Sequence, residues 1–227
     1  MSADDAPWPE LARGRSSSVY ELADGRVLRR NAGSDAAWEA EVMAHARRHG
    51  VRVPTVFEAH GHDLVMERIE GPTLLTELLD HPERLDEHAQ VLADLHAALD
   101  RVPAPAAAPR LPGDGEPRLV HLDLHPVNVI CSPDGPVLLD WTNAMAGPRT
   151  VDVATTWLIM ACHEAPANLA TVIDASRAAL VAAFLHRVDL DAARAALPAA
   201  SRLQLVGPVL GAAERRRISE LVESSSG

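Results

Sequence analysis

Hydrophobic and polar positions divide the chain into two unequal parts. Up to about residue 69 the pattern is short and strand-like, with one helical stretch inside it. Residues 19–22 and 26–30 flank Ala23-Asp24-Gly25, a turn whose glycine accepts a positive φ, and together they predict a hairpin. Residues 35–49 place Trp38, Val42, Met43 and Ala46 on one helical stripe, and Gly50 stops it. Residues 51–54 return to extended chain, as the residue before a proline prefers. Residues 56–59 and 63–68 predict a second hairpin around Gly61.

Past Glu70-Gly71-Pro72 the period lengthens. Leu85, Ala89, Leu92, Leu95, His96 and Leu99 recur in steps of three and four, which predicts a helix. Residues 102–118, rich in proline, alanine and glycine, predict a connector of low order without a regular element. Short apolar runs at 119–122, 127–131 and 137–139, broken by Pro126, Pro133 and Gly135, predict small strands around loops. Helices follow from about Val151, and Leu169, Val172, Ile173, Leu180 and Phe184 mark one of them. Strands first and helices after make this an α+β chain. No internal repeat is present.

Composition narrows the chemistry. Hydrophobic residues make up 47% of the 227, enough for a buried core, but aromatics only 3%, so that core is aliphatic and alanine-rich. All 21 basic residues are arginine. Without lysine there is no Schiff-base lysine, lysine general base or P-loop lysine, so phosphate or carbonyl activation falls to arginine, metal or backbone amides. The 32 acidic residues leave a formal charge of -11, which excludes nucleic acid as the expected partner, since its phosphates need a basic face. Cys131 and Cys162 form no C-x-x-C pair and read as free thiols of a reducing compartment. Asp4 and Asp5 stand where a secretion signal would be basic, and no run approaches a spanning helix. A cytoplasmic chain with no membrane partner is the expectation.

The informative stretch is HLDLHPVNVI followed by VLLDW: His121, Asp123 and Asn128, with Asp140 closing an apolar strand. From residue frequencies, H-x-D-x-x-x-x-N would arise by chance about 0.01 times in this chain, so coincidence explains it poorly. Phosphoryl transfer wants one carboxylate on the attacking hydroxyl, and a second carboxylate with an amide oxygen to hold magnesium on the nucleotide phosphates. Asp123, Asp140 and Asn128 supply that set.

At these residues the sequence resembles the aminoglycoside phosphotransferase and choline kinase family, whose fold is similar to that of protein kinases. The resemblance implies a two-lobed protein-kinase-like fold, with a small β-rich N-lobe at 1–69 for nucleotide and a larger helical C-lobe at 70–227 for catalysis and acceptor. It makes Asp123 the catalytic base, Asn128 and Asp140 the magnesium ligands, and His121 the brace of the catalytic loop. His125 and Pro126 match the family's Asp-x-His-Pro, and Asp152 resembles an aspartate that supports the loop from the next helix. Gly14-Arg15-Ser16-Ser17-Ser18 resembles the nucleotide loop, where small residues bring backbone amides near phosphate.

Val27 and Arg29 share one strand face, Val27 for adenine and Arg29 at the position of the family's strand lysine. Glu39 falls in the apolar arc of the helix and Glu41 toward water, so Glu39 is the expected partner of Arg29. Met66, Glu67 and Ile69 resemble the inter-lobe connection whose backbone meets the adenine edge. Leu95-His96 resembles the family's Leu-His, with His96 expected in the core. Trp141 and His163 fall near the acceptor side, although packing is the commoner role for such residues.

Two departures stand out. Arg29 replaces lysine, and its planar fork cannot sit as a point charge does. Only the stretch 97–120 separates Leu-His from the catalytic loop, where antibiotic-modifying members insert a helical subdomain. Leu122 also replaces the usual glycine before the catalytic aspartate. The expected function is transfer of the terminal phosphate of ATP or GTP, with Mg2+, to a small-molecule hydroxyl. The acidic balance favours a cationic acceptor such as an aminoglycoside or amino alcohol. Arg29 favours a second reading, a catalytically weak nucleotide-binding module, and the short connector a third, a protein kinase. The oligomeric state is not encoded in any of these motifs.

Overall fold

A computed structural model describes residues 8–14, 17–33, 35–113, 116–165, 170–206 and 210–225. The first half builds an antiparallel sheet in the order β1-β2-β3-β5-β4, from β1 (Glu10–Arg13), β2 (Ser17–Glu21), β3 (Arg26–Asn31), β4 (Val56–His60) and β5 (Asp63–Glu67). Both expected hairpins form, with Gly25 at φ 78 and Gly61 at φ 56 in their turns. In the central strand β3, Val27, Leu28 and Arg29 are all buried, so both faces of the sheet are covered at this point. Arg30 instead forks onto Asp63 of the neighbouring strand at 2.7 Å.

Helix α1 (Ala36–Arg48) starts where the Asp35 carboxylate accepts from the Ala37 N–H at 2.9 Å, a capping contact that satisfies one orphan donor of the first turn. Its buried positions are Ala36, Glu39, Val42, Met43 and Ala46, one continuous face. Trp38, expected on that stripe, is only half-buried at its edge. The chain then crosses to the second part through Gly71 at φ 133, where a Cβ would collide with the carbonyl oxygen of Cys131.

The second part is helical around two small two-stranded sheets. Helix α2 (Leu74–Asp80), capped by Thr73, precedes α3 (Leu85–Leu99), whose stripe is buried as expected. Strands β6 (Arg118–Val120) and β9 (Met145–Gly147) pair with each other, as do β7 (Val129–Ser132) and β8 (Gly135–Leu138). Helices α4 (Arg149–Cys162), α5 (Ala170–Leu185), α6 (Leu190–Val206) and α7 (Ala212–Ser225) complete the lobe. Helix α4 is its axis and is buried along nearly all its length. Its C-terminal carbonyls are closed by guanidinium groups, Arg177 on His163 and Arg217 on Cys162, each at 2.8 Å.

Three expectations need correction. The connector after α3 is pinned rather than loose: Leu111 N–H donates to Ala146 O, Ala146 N–H donates to Pro109 O, and Leu119 N–H donates to Val102 O. On α5 only Leu180 and Phe184 are buried and Val172 is exposed, because the helix meets the core through its C-terminal half; Leu169 lies outside the described residues. Helix α2 and strands β1 and β9 were not anticipated, and α6 and α7 fall in the stretch from about Val151 where helices were expected without bounds. Both cysteines are free thiols, and no helix among the described residues is long and apolar enough to cross a membrane.

Candidate active site

His121, Asp123, Asn128 and Asp140 are positioned by a short strand, a turn and a hairpin. Strand β6 delivers His121, and Asp123 follows two residues on. A 3-10 turn over Pro126–Asn128 then leads into β7. Pairing of β7 with β8 extends one residue further, with Leu139 N–H donating to Asn128 O at 2.8 Å, so Asn128 and Asp140 leave the open end of one hairpin side by side.

His121 is fully buried and neutral in this arrangement. Its Nε2 donates to Leu139 O at 2.9 Å and its Nδ1 accepts the Asp123 N–H at 3.2 Å, and burial lowers its pKa. One ring thus ties the strand before Asp140 to the backbone of Asp123. The ring also stands edge-on to Trp141, with centroids 4.8 Å apart.

The Asn128 amide has a defined orientation. Its Nδ2 donates to Asp123 O at 2.9 Å and to Asp123 Oδ2 at 3.2 Å, so its Oδ1 is turned away from Asp123 and serves as an acceptor or ligand. Burial acts to raise the pKa of Asp123, but the approach of His125 Nε2 to 3.5 Å outweighs it. The carboxyl sits below its ordinary value and is ionised at neutral pH. His125 itself is turned by its Nδ1, which accepts the Val127 N–H at 3.3 Å.

Behind the loop, Asp152 is buried in the first turn of α4 and accepts the backbone N–H groups of Leu122 at 2.7 Å and His121 at 3.1 Å. Burial pushes its pKa up, but the His96 contact and these backbone bonds pull it down further, so it too sits below the usual range. Thr156 Oγ1 gives its one proton to Leu124 O at 2.7 Å, which makes His96 Nε2 the donor to Thr156 at 3.0 Å. The other nitrogen of His96 lies 3.6 Å from Asp152. His96 is therefore a core residue that braces the loop from α3, as expected.

Across the cleft Arg29 is buried at 4% exposure. Its Nη1 donates to Glu39, and its Nη2 donates to Asp140 Oδ1 at 2.5 Å and Thr142 Oγ1 at 3.1 Å. Its Nε approaches Ser17 Oγ at 3.4 Å. Glu39, 1% exposed, also accepts from Asn31 Nδ2 at 3.1 Å, the Trp141 N–H at 3.1 Å and Thr142 Oγ1 at 3.3 Å. Burial raises the pKa of Glu39, with Arg29 opposing it. Removing one partner of such a buried pair costs about 3–5 kcal/mol. Glu41 is exposed.

The chain matches the phosphotransferase enzyme family over residues 8–113 and 105–197, most of its length. It belongs to that family. This phosphotransferase shares its fold with aminoglycoside phosphotransferase APH(4)-Ia, solved as a thermostable mutant with AMP-PNP and hygromycin B. The TM-score is 0.69 at 16% identity, covering 98% of this chain and 95% of that one. A choline/ethanolamine kinase family protein from Mesorhizobium loti aligns with a TM-score of 0.58 at 13% identity, covering 99% and 88%. An APH(2")-type enzyme solved with GDP and kanamycin aligns at 0.58 and 15%, covering 99% and 95%. No curated protein sequence matches the chain. The family assignment makes the protein a kinase-like transferase with the expected α+β architecture.

The geometry brings together His121, Asp123, Asn128 and Asp140 on one side, and Ser17, Arg29 and Glu39 on the other. Ser16 of the expected nucleotide loop lies outside the described residues, and Ser18 is half-buried on β2. Val27 pairs with Met66 at the centre of the sheet. The Glu67 carboxylate accepts from Thr55 N and Oγ1 at 2.9 and 2.8 Å, and Glu67 and Ile69 line a cavity of about 260 Å³ with Arg47, Arg52 and Val137. Any role of Glu67 toward adenine therefore belongs to its backbone. Trp141 is wholly buried, and His163 bonds Gln204 at 3.2 Å; both are packing positions. Asn31 and Thr142 were missed. Strand alternation from Val27 through Arg29 reaches Asn31, but nothing local marks Thr142.

Proposed function

We propose that this phosphotransferase moves the terminal phosphate of ATP or GTP to a hydroxyl of a small molecule, with Asp123 as base and Asn128 and Asp140 as ligands of Mg2+. The observation that carries this reading is the orientation of Asn128. Its NH2 is committed to Asp123, so its oxygen is presented beside Asp140 at the open end of the β7–β8 hairpin. The donor set suits magnesium. A carboxylate and an amide oxygen are hard ligands. Magnesium characteristically completes its shell with phosphate oxygens and water. Bound there, the ion supplies neutralisation of charge on the phosphate oxygens.

Asp123 is ionised and fixed through its backbone by His121 and through its side chain by Asn128. It orients the acceptor hydroxyl and takes its proton as the new phosphorus–oxygen bond forms and the bond to the bridging oxygen of the nucleotide breaks. Asp152 and His96 act only by holding this loop. On the nucleotide side Arg29 reaches phosphate with its remaining Nη1 N–H or by exchanging one of its protein acceptors.

The charge of -11, together with relatives solved with hygromycin B and kanamycin, supports a cationic acceptor such as an aminoglycoside or amino alcohol. The nucleotide lobe corresponds to residues 1–69 and the acceptor lobe to 70–227, in a cytoplasmic enzyme. A phosphate-transfer screen over aminoglycosides, amino alcohols and sugars, with ATP and GTP run separately and with magnesium present or chelated, tests the reading. Magnesium-dependent product from a hydroxyl acceptor is the expected result. Absence of any product together with failure of both nucleotides to raise Tm would refute it.

A further inference from the structure

Arg29 stands where a single point charge is expected, but it makes a bridge. Its two terminal nitrogens hold two carboxylates, Glu39 from α1 and Asp140 from the end of the β7–β8 hairpin. An ammonium concentrates its charge on one atom, whereas the planar fork serves both partners at once. With Thr142 on Nη2 and Ser17 near Nε, the described residues leave the guanidinium one N–H, on Nη1.

The bridge bears on metal binding. The guanidinium of Arg29 sits directly on Asp140 Oδ1 as a fixed positive charge. The Arg29 side chain is 5% exposed and that of Asp140 is 26%, so salt screens this contact less than it would a surface pair. A divalent ion approaching Asp140 in the absence of nucleotide meets a carboxylate that already holds one Nη of Arg29, with that cation beside it. The triphosphate removes this obstacle, because its oxygens place negative charge between the two cations and offer Arg29 other acceptors.

We propose that Arg29 is a resident counter-cation of Asp140, which makes divalent-metal binding at this site dependent on bound nucleotide. The inference rests on the assignment of Asp140 as a metal ligand. By linkage, the nucleotide tightens the metal and the metal tightens the nucleotide by the same factor, at least about tenfold.

Calorimetric titration of Mn2+ into the full-length protein tests it, first alone and then with saturating non-hydrolysable ATP analogue, for the parent, Arg29→Met and Arg29→Lys. Arg29→Lys keeps a cation on buried Glu39 and so guards against loss of fold in Arg29→Met; circular dichroism verifies both. The expected result is that Arg29→Lys binds Mn2+ alone at least about tenfold more tightly than the parent, with the difference closing when the analogue is present. Equal affinity of parent and Arg29→Lys for Mn2+ alone overturns the proposal but leaves the kinase reading intact. An analogue that binds while Mn2+ binds nowhere, in any variant, overturns both.

Discussion

Asp152 Oδ1 accepts the backbone N–H of Leu122 at 2.7 Å, and Leu122 carries that bond at φ 61, in the left-handed region. A residue with a Cβ gives up about 1–2 kcal/mol there. The carboxylate of Asp152, by holding the N–H groups of both Leu122 and His121, fixes the turn that sets Asp123 in place. Leucine stands where the resemblance leads one to expect glycine, and the turn is kept.

Replacing it by glycine does not improve the protein. Leu122 is 6% exposed, and emptying a buried leucine site costs about 2–5 kcal/mol, more than the backbone strain it relieves. Leu122→Gly is expected to lower stability by about 1–3 kcal/mol and Tm by several degrees. Differential scanning calorimetry checks the sign; a higher Tm would mean that strain outweighs packing here.

Asp152 also sets a pH dependence. Its folded-state pKa lies below the ordinary value of about 3.9, so its charge stabilises the fold above that pH and the contribution is lost as pH falls through the folded value. Unfolding free energy should therefore drop below about pH 4. Asp152→Asn should be less stable than the parent at pH 7 and show a shallower acid decline. Urea melts across that range measure both, and parallel acid limbs would assign the decline to other carboxylates.

Thr156 links His96 to the catalytic loop by donating to Leu124 O while accepting from His96. Thr156→Val keeps the shape but strands a buried carbonyl and a buried ring N–H, each worth about 1–3 kcal/mol. A loss of at least about 2 kcal/mol is expected, with turnover falling more than nucleotide affinity. Equilibrium denaturation beside steady-state kinetics separates the two effects.

Much of this was readable from local pattern. Both sheet hairpins, α1, α3 and the choice of Glu39 over Glu41 follow from periods of two and 3.6, because one side of each element meets the core. Helix α6 falls where helices were expected, but its bounds were not legible, since it runs from Leu190 to Val206 through Pro198, a residue that usually ends a helix. The contact of Arg29 with Asp140 spans 111 positions, and its partner Thr142 has no periodic signature. The sequence motif names the site's carboxylates but not which cation already sits between them.

The most direct test of the account is single-turnover transfer of labelled terminal phosphate to the best acceptor, comparing the parent with Asp123→Asn at saturating nucleotide. Asparagine keeps the size of the side chain, and the Asn128 bond to the Asp123 backbone carbonyl survives, so fold and nucleotide affinity should be little changed. Loss of the base is expected to slow transfer by about 100-fold or more. Transfer at the parent rate would contradict the assignment of Asp123 as the catalytic base.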